Sequence, residues 1–312
     1  MRNLFAIAII SISISAFLYS FFRTESEQQA FNFELGVEET NTNLTEVVYY
    51  ELEPMIKSEF LPVLMYHHFE EEITDYPSMT MTPETFKNQL LALKEAGYEA
   101  ITTEQALKFY QKKHHLLPDK PVWITIDDGF LSNYELAFPI LKELEMPATI
   151  YVIASQMGQE RLGIPHFTWD HAREMVQSGL IDIQSHTYDL HQREKKGLEA
   201  MLLHQKQNGE LETDEQYQAR IFADLQKSIE VITSEVGTTV FSFAYPYGAY
   251  NDVTEQIVYN AGFELVLLTG RRTSHINDNP LRINRLNIND NVSGEELLHR
   301  IETFKPTFDE EL

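Results

Sequence analysis

Apolar and polar positions alternate along this chain in two periods. From Phe60 onward, short apolar runs are separated by longer segments with helical spacing. Leu61 to Tyr66 predicts a strand ending at His67. Thr82 then caps a helix with Pro83 in its first turn, Phe86, Leu90 and Leu93 on one face, and Gly97 as its stop. Val122 to Ile126 predicts the next strand, which runs into Asp127-Asp128-Gly129; a helix follows to about Glu145 and is closed by Pro147. Ala148 to Ile153 reads as a strand, Thr168 as the cap of a helix ending near Gly179, and Ile181 to Ser185 as a strand ending at His186. A long helix is predicted over about Glu215 to Glu235, with Gly237 after it. Val240 to Ala244 and Glu264 to Leu268 read as strands around a helix from about Asp252 to Ala261. Arg285 to Ile288 reads as the last strand, and Ser293-Gly294-Glu295-Glu296 as a capping box opening the final helix.

Strands alternating with helices argue for a parallel sheet covered by helices. About seven strands suits an α/β fold of the distorted (β/α)7-barrel type better than a small open sheet. The unusual polar residues follow strands: His67, Asp127, Asp128, His186 and Tyr247 each stand just after one. In a β/α barrel those positions share one rim, where active sites are built.

The chain ahead of this domain has a different pattern. Met1-Arg2 precedes an apolar run from Leu4 to Phe22, which as a helix would reach about 28 Å, close to the thickness of a bilayer's hydrocarbon core. Residues 1–23 are therefore expected to form a signal anchor, a membrane helix with its N-terminus in the cytoplasm, in preference to a cleaved signal peptide. Residues 24–58, rich in Glu, Asn, Thr and Ser, read as an acidic tether, and residues 59–312 as one catalytic domain. The domain is then expected on the outer face of the cell membrane, or secreted if the segment is cleaved. A formal charge of −24 argues against nucleic acid or another polyanion as partner and leaves neutral and cationic substrates open. The chain has no cysteine, which excludes disulfides, thiolate nucleophiles and Cys-based zinc sites. Any metal must sit on histidine and carboxylate.

Two segments offer that chemistry. In Thr125-Ile126-Asp127-Asp128-Gly129, adjacent carboxylates at a strand end point in different directions, so one can ligate a cation while the other acts as a base. The bland alternative is a solvated Asp-Asp-Gly turn. In Ser185-His186-Thr187-Tyr188-Asp189-Leu190-His191, two histidines converge on one ion if the chain between them turns; taken alone, two loop histidines are more often incidental. Asp128, His186 and His191 together make a His-His-Asp set with open coordination positions, the layout of a catalytic metal site.

These motifs resemble the polysaccharide deacetylases of carbohydrate esterase family four, the NodB-homology group. That family's first motif is Thr-Phe-Asp-Asp-Gly, close to Thr125–Gly129. Its second is usually His-Ser/Thr-x-x-His, and the extra residue between His186 and His191 is similar to the branch acting on poly-β-1,6-N-acetylglucosamine. Glu212–Tyr217, Arg220-Ile221, Asp224-Leu225 and Thr168-Trp169-Asp170 also resemble that branch. The resemblance spans about residues 60–290. It implies a metal-dependent N-deacetylase with Asp128, His186 and His191 on the metal and Asp127 as general base. It also implies that the Tyr247 backbone N–H holds the oxyanion and that His67 is the general acid. The implied cofactor is a divalent cation, Zn2+ first, with Co2+, Ni2+ or Fe2+ also compatible. The implied partner is an N-acetylglucosamine polysaccharide, with the enzyme a monomer.

Two departures stand out. The family's third motif is Arg-x-Pro-Tyr, and here Ala244 occupies the Arg position in Ala244-Tyr245-Pro246-Tyr247; Arg285 is the candidate replacement that would brace Asp127. The fourth motif, Asp-x-x-Asp-Trp, is not evident, and Trp169-Asp170 either stands in for it or is a helix-start Asp beside a core Trp. Tyr188, Trp169 and Tyr245 are candidate sugar-stacking aromatics, and His166 is left unplaced. Peptidoglycan or a chitin-type polymer is the alternative substrate, and a carbohydrate-binding protein without catalysis the alternative class.

Overall fold

The computed structural model describes residues 58–306, apart from Asp75, Leu162, residues 193–199 and Asn208. The expected anchor and nearly all of the expected tether lie outside the described residues. No helix among the described residues is long and apolar enough to cross a membrane.

The centre is an eight-stranded sheet in which every pairing is parallel. Its strands are β1 (Val63–Tyr66), β2 (Glu99–Ala100), β3 (Pro121–Asp128), β4 (Ala148–Val152), β5 (Ile181–Ser185), β6 (Ser242–Ala244), β7 (Leu265–Leu267) and β8 (Leu286–Asn287). The order across the sheet is β7-β6-β5-β4-β3-β1-β8, with β2 added beside the start of β3. Isolated parallel bridges, Leu267 to Ile283 and Gly270 to Leu286, join the β7 end to the β8 end. The sheet therefore curls round on itself, an irregular barrel rather than an open sheet.

Both faces of this sheet are buried, which is why its strands read as continuous apolar runs. Side chains alternate between two cores. Val63, Trp123, Tyr151, Ala244, Leu265 and Leu267 belong to the inner cluster. Leu64, Ile124, Ile126, Ile150, Ile183 and Phe243 belong to the larger cluster under the helices. Those helices are α1 (Pro83–Glu95), α2 (Thr103–Tyr110), α3 (Phe138–Leu144), α4 (Trp169–Gln177), α5 (Asp214–Val236), α6 (Asp252–Asn260) and α7 (Gly294–Thr303). Hydroxyl or amide side chains at the N-caps of α1, α2, α4, α5 and α6 each accept a first-turn N–H, so their starts are set by sequence-local chemistry.

Four local readings need correction. The apolar run predicted as one strand is split at Pro62: Phe60–Leu61 pairs antiparallel with Ser274–His275, and the barrel strand begins at Val63. Proline has no N–H to continue a ladder, and the Pro62 carbonyl accepts from Trp123 N. The helix after β3 opens as a π-helical turn, Asn133–Ala137, in which Phe138 N–H reaches back to the Asn133 carbonyl. Pro139 in the next turn lacks an N–H and crowds the preceding carbonyls, which favours the wider turn. At the final helix Ser293 caps Glu296 N, but the Glu296 carboxylate turns to Arg300 instead of closing a capping box. Helix α2 was not anticipated, although Thr102 and Gln105 form a full capping box.

Helix α7 packs closely on α1 at Gly294, where an added Cβ would sit 2.7 Å from Ala92 Cβ and 3.2 Å from the Asn88 carbonyl oxygen. Gly294→Ala should therefore push the two helices apart and lower stability by about 1–3 kcal/mol. A lower midpoint in urea denaturation, with turnover per folded molecule retained, is the expected result.

Candidate functional site

Strand β3 reaches further than its neighbours, and its last two residues are Asp127 and Asp128. Strand parity sends Asp127 inward, beside Thr125. There Arg285 grips it in a two-pronged pair, with Nη1 donating to Oδ1 and Nη2 to Oδ2, both at 2.7 Å. The guanidinium also donates to the Leu268 carbonyl and the Thr125 hydroxyl, and Arg285 is 0% exposed. Burial alone would raise the Asp127 carboxyl. The Arg285 charge, with His186 and His67 behind it, outweighs burial and holds the group well below the usual carboxylate range. Asp127 is thus ionised and fixed in orientation.

His67 follows β1, the strand beside β3, and its Nε2 lies 4.0 Å from Asp127 Oδ2. Asn133, in the π-helical turn, donates to the His67 carbonyl and ties that segment in place. His68 faces the other way, its Nδ1 against the Ser132 hydroxyl and its Nε2 against Glu70.

Asp128 has a left-handed backbone, φ 75°, and Gly129 continues it at φ 81°. This turn carries the second carboxylate away from Arg285 and toward two histidines. Asp128 Oδ1 lies 3.5 Å from His186 Nε2 and 3.3 Å from His191 Nε2. One donor atom from each of the three lies within 4.8 Å of the others. His186 Nδ1 is 2.7 Å from the Ala244 carbonyl, so that nitrogen carries the proton and Nε2 presents its lone pair. Burial pushes the His186 imidazole down to about 4, against the pull of the carboxylates, so it is neutral near pH 7. Asp128 Oδ1 is buried and accepts no hydrogen bond. A buried anionic oxygen left without a donor, facing a neutral imidazole nitrogen, fits a divalent cation bound by Asp128, His186 and His191.

The turn between the histidines is built by residues distant in sequence. Thr187 adopts φ 79°, an outlier for a β-branched residue, and its hydroxyl accepts from Leu190 N. The amides of Tyr188 and Asp189 both donate to the carboxylate of Asp224 on α5. Burial raises Asp224 to about 6 even so. The Thr187 and Tyr188 carbonyls accept from Ala154 and Ser155 N. This clamp is what lets His191, five residues after His186, return to the same point.

Tyr247 sits in the short turn Pro246–Gly248 at φ 59°, its ring centroid 4.7 Å from that of His191. Gly248 is required there: a Cβ would lie 2.2 Å from Thr269 Oγ1 and 2.6 Å from Thr269 N.

A cavity of about 490 Å³ opens over these residues, lined by His67, Asp127, Asp128, His186, His191 and Tyr247. Its remaining wall is largely apolar, from Met65, Met79, Phe130, Ile153 and Ile164, with Tyr76, 47% exposed, and Tyr247, 36% exposed, among the lining residues. His166, unplaced by sequence, is buried in this wall. The structure thus brings together His67, Asp127, Asp128, His186, His191 and Tyr247, with Arg285 beneath Asp127. Trp169-Asp170 is elsewhere: Trp169 packs on the helix-side core, and exposed Asp170 pairs with Arg173. Neither lines the cavity. Of the other aromatics expected to stack on sugar, Tyr245 is fully buried and Tyr188 lies under Lys227. Tyr76 was missed because its loop carries no periodic signal.

Removing Arg285 would leave Asp127 buried without a counter-ion. Arg285→Met should lose about 3–5 kcal/mol of stability, and adding Asp127→Asn should restore much of it. The depressed Asp127 pKa makes the wild-type pair's contribution fully present above the unfolded carboxylate range. That contribution disappears only as pH falls through the lower folded value. Urea melts of the two variants at neutral pH test the coupling; equal losses in both would contradict it.

The Polysaccharide deacetylase family profile matches residues 115–266. A protein of Staphylococcus aureus (strain MSSA476) named poly-beta-1,6-N-acetyl-D-glucosamine N-deacetylase is 29% identical over 250 residues, 80% of this chain and 80% of its own. YxkH of Bacillus subtilis (strain 168), provisionally named a polysaccharide deacetylase, is 30% identical over 246 residues, 78% of this chain and 77% of its own. Among solved structures, IcaB from Ammonifex degensii superposes with a TM-score of 0.67 at 27% identity, over 78% of this chain and 97% of that one. With the rim site and the curled parallel sheet already in place, these matches establish that the chain belongs to the polysaccharide deacetylase family, hydrolases that remove N-acetyl groups from polysaccharides.

Proposed function

We propose that this protein removes acetyl groups from an N-acetylglucosamine polymer outside the cell, with poly-β-1,6-N-acetylglucosamine as the substrate. The observation that carries the reading is one cleft holding a His-His-Asp ligand set, an Arg-braced carboxylate and a third histidine. The names of the Staphylococcus aureus relative and the wide spacing of His186 and His191 support this polymer over peptidoglycan or chitin-type chains. The acidic chain, with its net charge of −24, suits a neutral substrate that becomes cationic as it is deacetylated. An apolar run from Leu4 to Phe22 supports placement at the outer face of the membrane.

The residues divide the chemistry among themselves. Asp128, His186 and His191 would hold the divalent cation, zinc by ligand type. That cation would supply Lewis acidity, polarising the acetamide carbonyl and lowering the pKa of water, which a base as weak as Asp127 requires. Arg285 keeps Asp127 ionised and aimed into the cleft. Asp127 accepts a proton as the water oxygen bonds to the acyl carbon. The Tyr247 amide, at the cavity edge, would donate to the oxygen that gains charge. His67, protonated, gives its proton to the sugar nitrogen as the carbon–nitrogen bond breaks, so that an amine and acetate leave. His67 and Asp127 approach each other at one carboxylate oxygen, which suits an acid and a base acting on the same tetrahedral carbon.

Acetate release from poly-β-1,6-N-acetylglucosamine, assayed beside peptidoglycan and with metal analysis, tests the reading. Asp128→Ala and His186→Ala should lose bound metal and turnover together. Asp127→Asn should keep its metal while turnover falls by about 10²–10⁴-fold. Turnover retained in Asp127→Asn would reject the base assignment, and acetate from peptidoglycan alone would reject the polymer.

A further inference from the structure

A second cavity, of about 470 Å³, adjoins the first. The two share Tyr76 and Ile164 in their walls, so these side chains form a divide and not a closed partition. Its lining includes His68, 8% exposed, which is held by the Ser132 hydroxyl on one ring nitrogen and by Glu70 on the other. Further lining comes from the segment around the π-helical turn: Leu131, Ser132, Glu135 and Leu136. Such turns are rare and often accompany function. This turn also anchors the His67 carbonyl through Asn133, so one short segment shapes both cavities.

Tyr76 is the most unusual member of the divide. It is 47% exposed and has φ 52°, a left-handed conformation that a bulky residue seldom adopts. The turn is pinned by its own carbonyl, which accepts from Met79 N and from the Thr80 hydroxyl. A strained, pinned turn that leaves an aromatic side chain half exposed between two cavities is not a packing solution for a core residue. An aromatic face so placed is suited to stacking on a flat, partly apolar ligand. Among the described residues, the carboxylates lining the second cavity are Glu70 and Glu135.

We infer that the second cavity is a subsite for the sugar adjacent to the one being deacetylated, with Tyr76 as its platform, and that Glu70 and Glu135 favour a neighbour already bearing a free ammonium. This rests on the function proposed above and adds to it an order of events: a deacetylated unit assists reaction at the next one. The acetylated polymer is neutral and gains one positive charge per turnover, so a carboxylate-lined subsite distinguishes product-like from untouched chain. Tyr76 contributes to both states, because its face accepts either a sugar ring or an ammonium group.

The test uses β-1,6-linked N-acetylglucosamine pentasaccharides, one fully acetylated and others carrying a single free amine at each position in turn. The readout is the ratio of kcat/KM between substrates for the same protein, so a loss of fold or metal cancels. Wild type should prefer one amine position over the fully acetylated chain. Glu135→Gln should shrink that preference by about threefold. Tyr76→Ala should lower the ratio of pentasaccharide to monosaccharide by about fivefold or more, with Tyr76→Trp restoring it. Acetate release with ratios unchanged in both Glu135→Gln and Tyr76→Ala removes the subsite alone. No acetate from any substrate with wild type removes the underlying function as well.

Discussion

The buried pair of Asp127 and Arg285 is the constraint to which the rest of the site conforms. Withdrawing two charges from water costs several kcal/mol for each, and only near-ideal geometry offsets it. The structure meets that demand: two matched 2.7 Å hydrogen bonds, plus a carbonyl and a hydroxyl that accept two further guanidinium protons. The pair does not look like a device for stability, since a hydrophobic pair of similar volume would serve as well or better. Its consequence is a carboxylate that stays ionised, cannot rotate, and presents Oδ2 within 4.0 Å of both His67 and His186. A base so held gives up proton affinity in return for position, which shifts the burden of acidifying water onto the cation-binding side of the site.

That side depends on the chain reversing strand parity at one residue. In a regular strand, Asp128 would point into the helix-side core, where a carboxylate has no partner. Its left-handed φ of 75° rotates it along the rim instead. The same conformation recurs at Thr187 beside His186, at Tyr247 over His191 and at Tyr76 on the cavity wall. Each is unfavourable for a non-glycine residue by about 1–3 kcal/mol. Their concentration around one cleft means that the surrounding hydrogen bonds, such as the Asp224 carboxylate on the Tyr188 and Asp189 amides, hold them there.

What could be read from sequence follows the range of the interaction involved. Helices α1 and α5 were legible to within about two residues because caps such as Thr82 and Thr213 act over three residues. The parallel, curled sheet was legible because alternation of element types needs no contact information. The rim residues were legible as a group for the same reason: each follows a strand. Pro62 splitting the first strand was less so, because the competing partner, Ser274–His275, is far along the chain. The clamp on the His186–His191 turn was illegible in mechanism, since Asp224 and Ser155 give no local sign of reaching that loop. Tyr76 was invisible, because a cavity wall made by an aperiodic loop has no signature in one dimension. Trp169-Asp170 left two readings open in sequence, a motif stand-in or a helix-start Asp beside a core Trp, and only the three-dimensional placement selects the second.

The replacement of the family's arginine by Ala244 is best understood as a packing decision shared with Arg285. Ala244 faces inward, in the same cluster as Tyr151 and Leu267 and fully buried. The Arg285 guanidinium lies 5.9 Å from the Tyr151 ring in that same interior. Two guanidinium groups there would confront a single carboxylate, and the unpaired one would carry the full penalty of a buried charge. A small residue at 244 is therefore what an arginine arriving from 285 requires, and the Ala244 carbonyl remains free of side-chain crowding to fix the His186 tautomer. Because β8 lies next to β1, and β1 next to β3, docking the last strand delivers Arg285 to Asp127 and completes a site whose other edge, His67, comes from the first. The brace need not occupy a particular place in the sequence; it needs only to enter the barrel opposite the end of β3. The pairing of β8 with β1 is thus what gives Asp127 its guanidinium partner, so the site depends on the curling of the sheet.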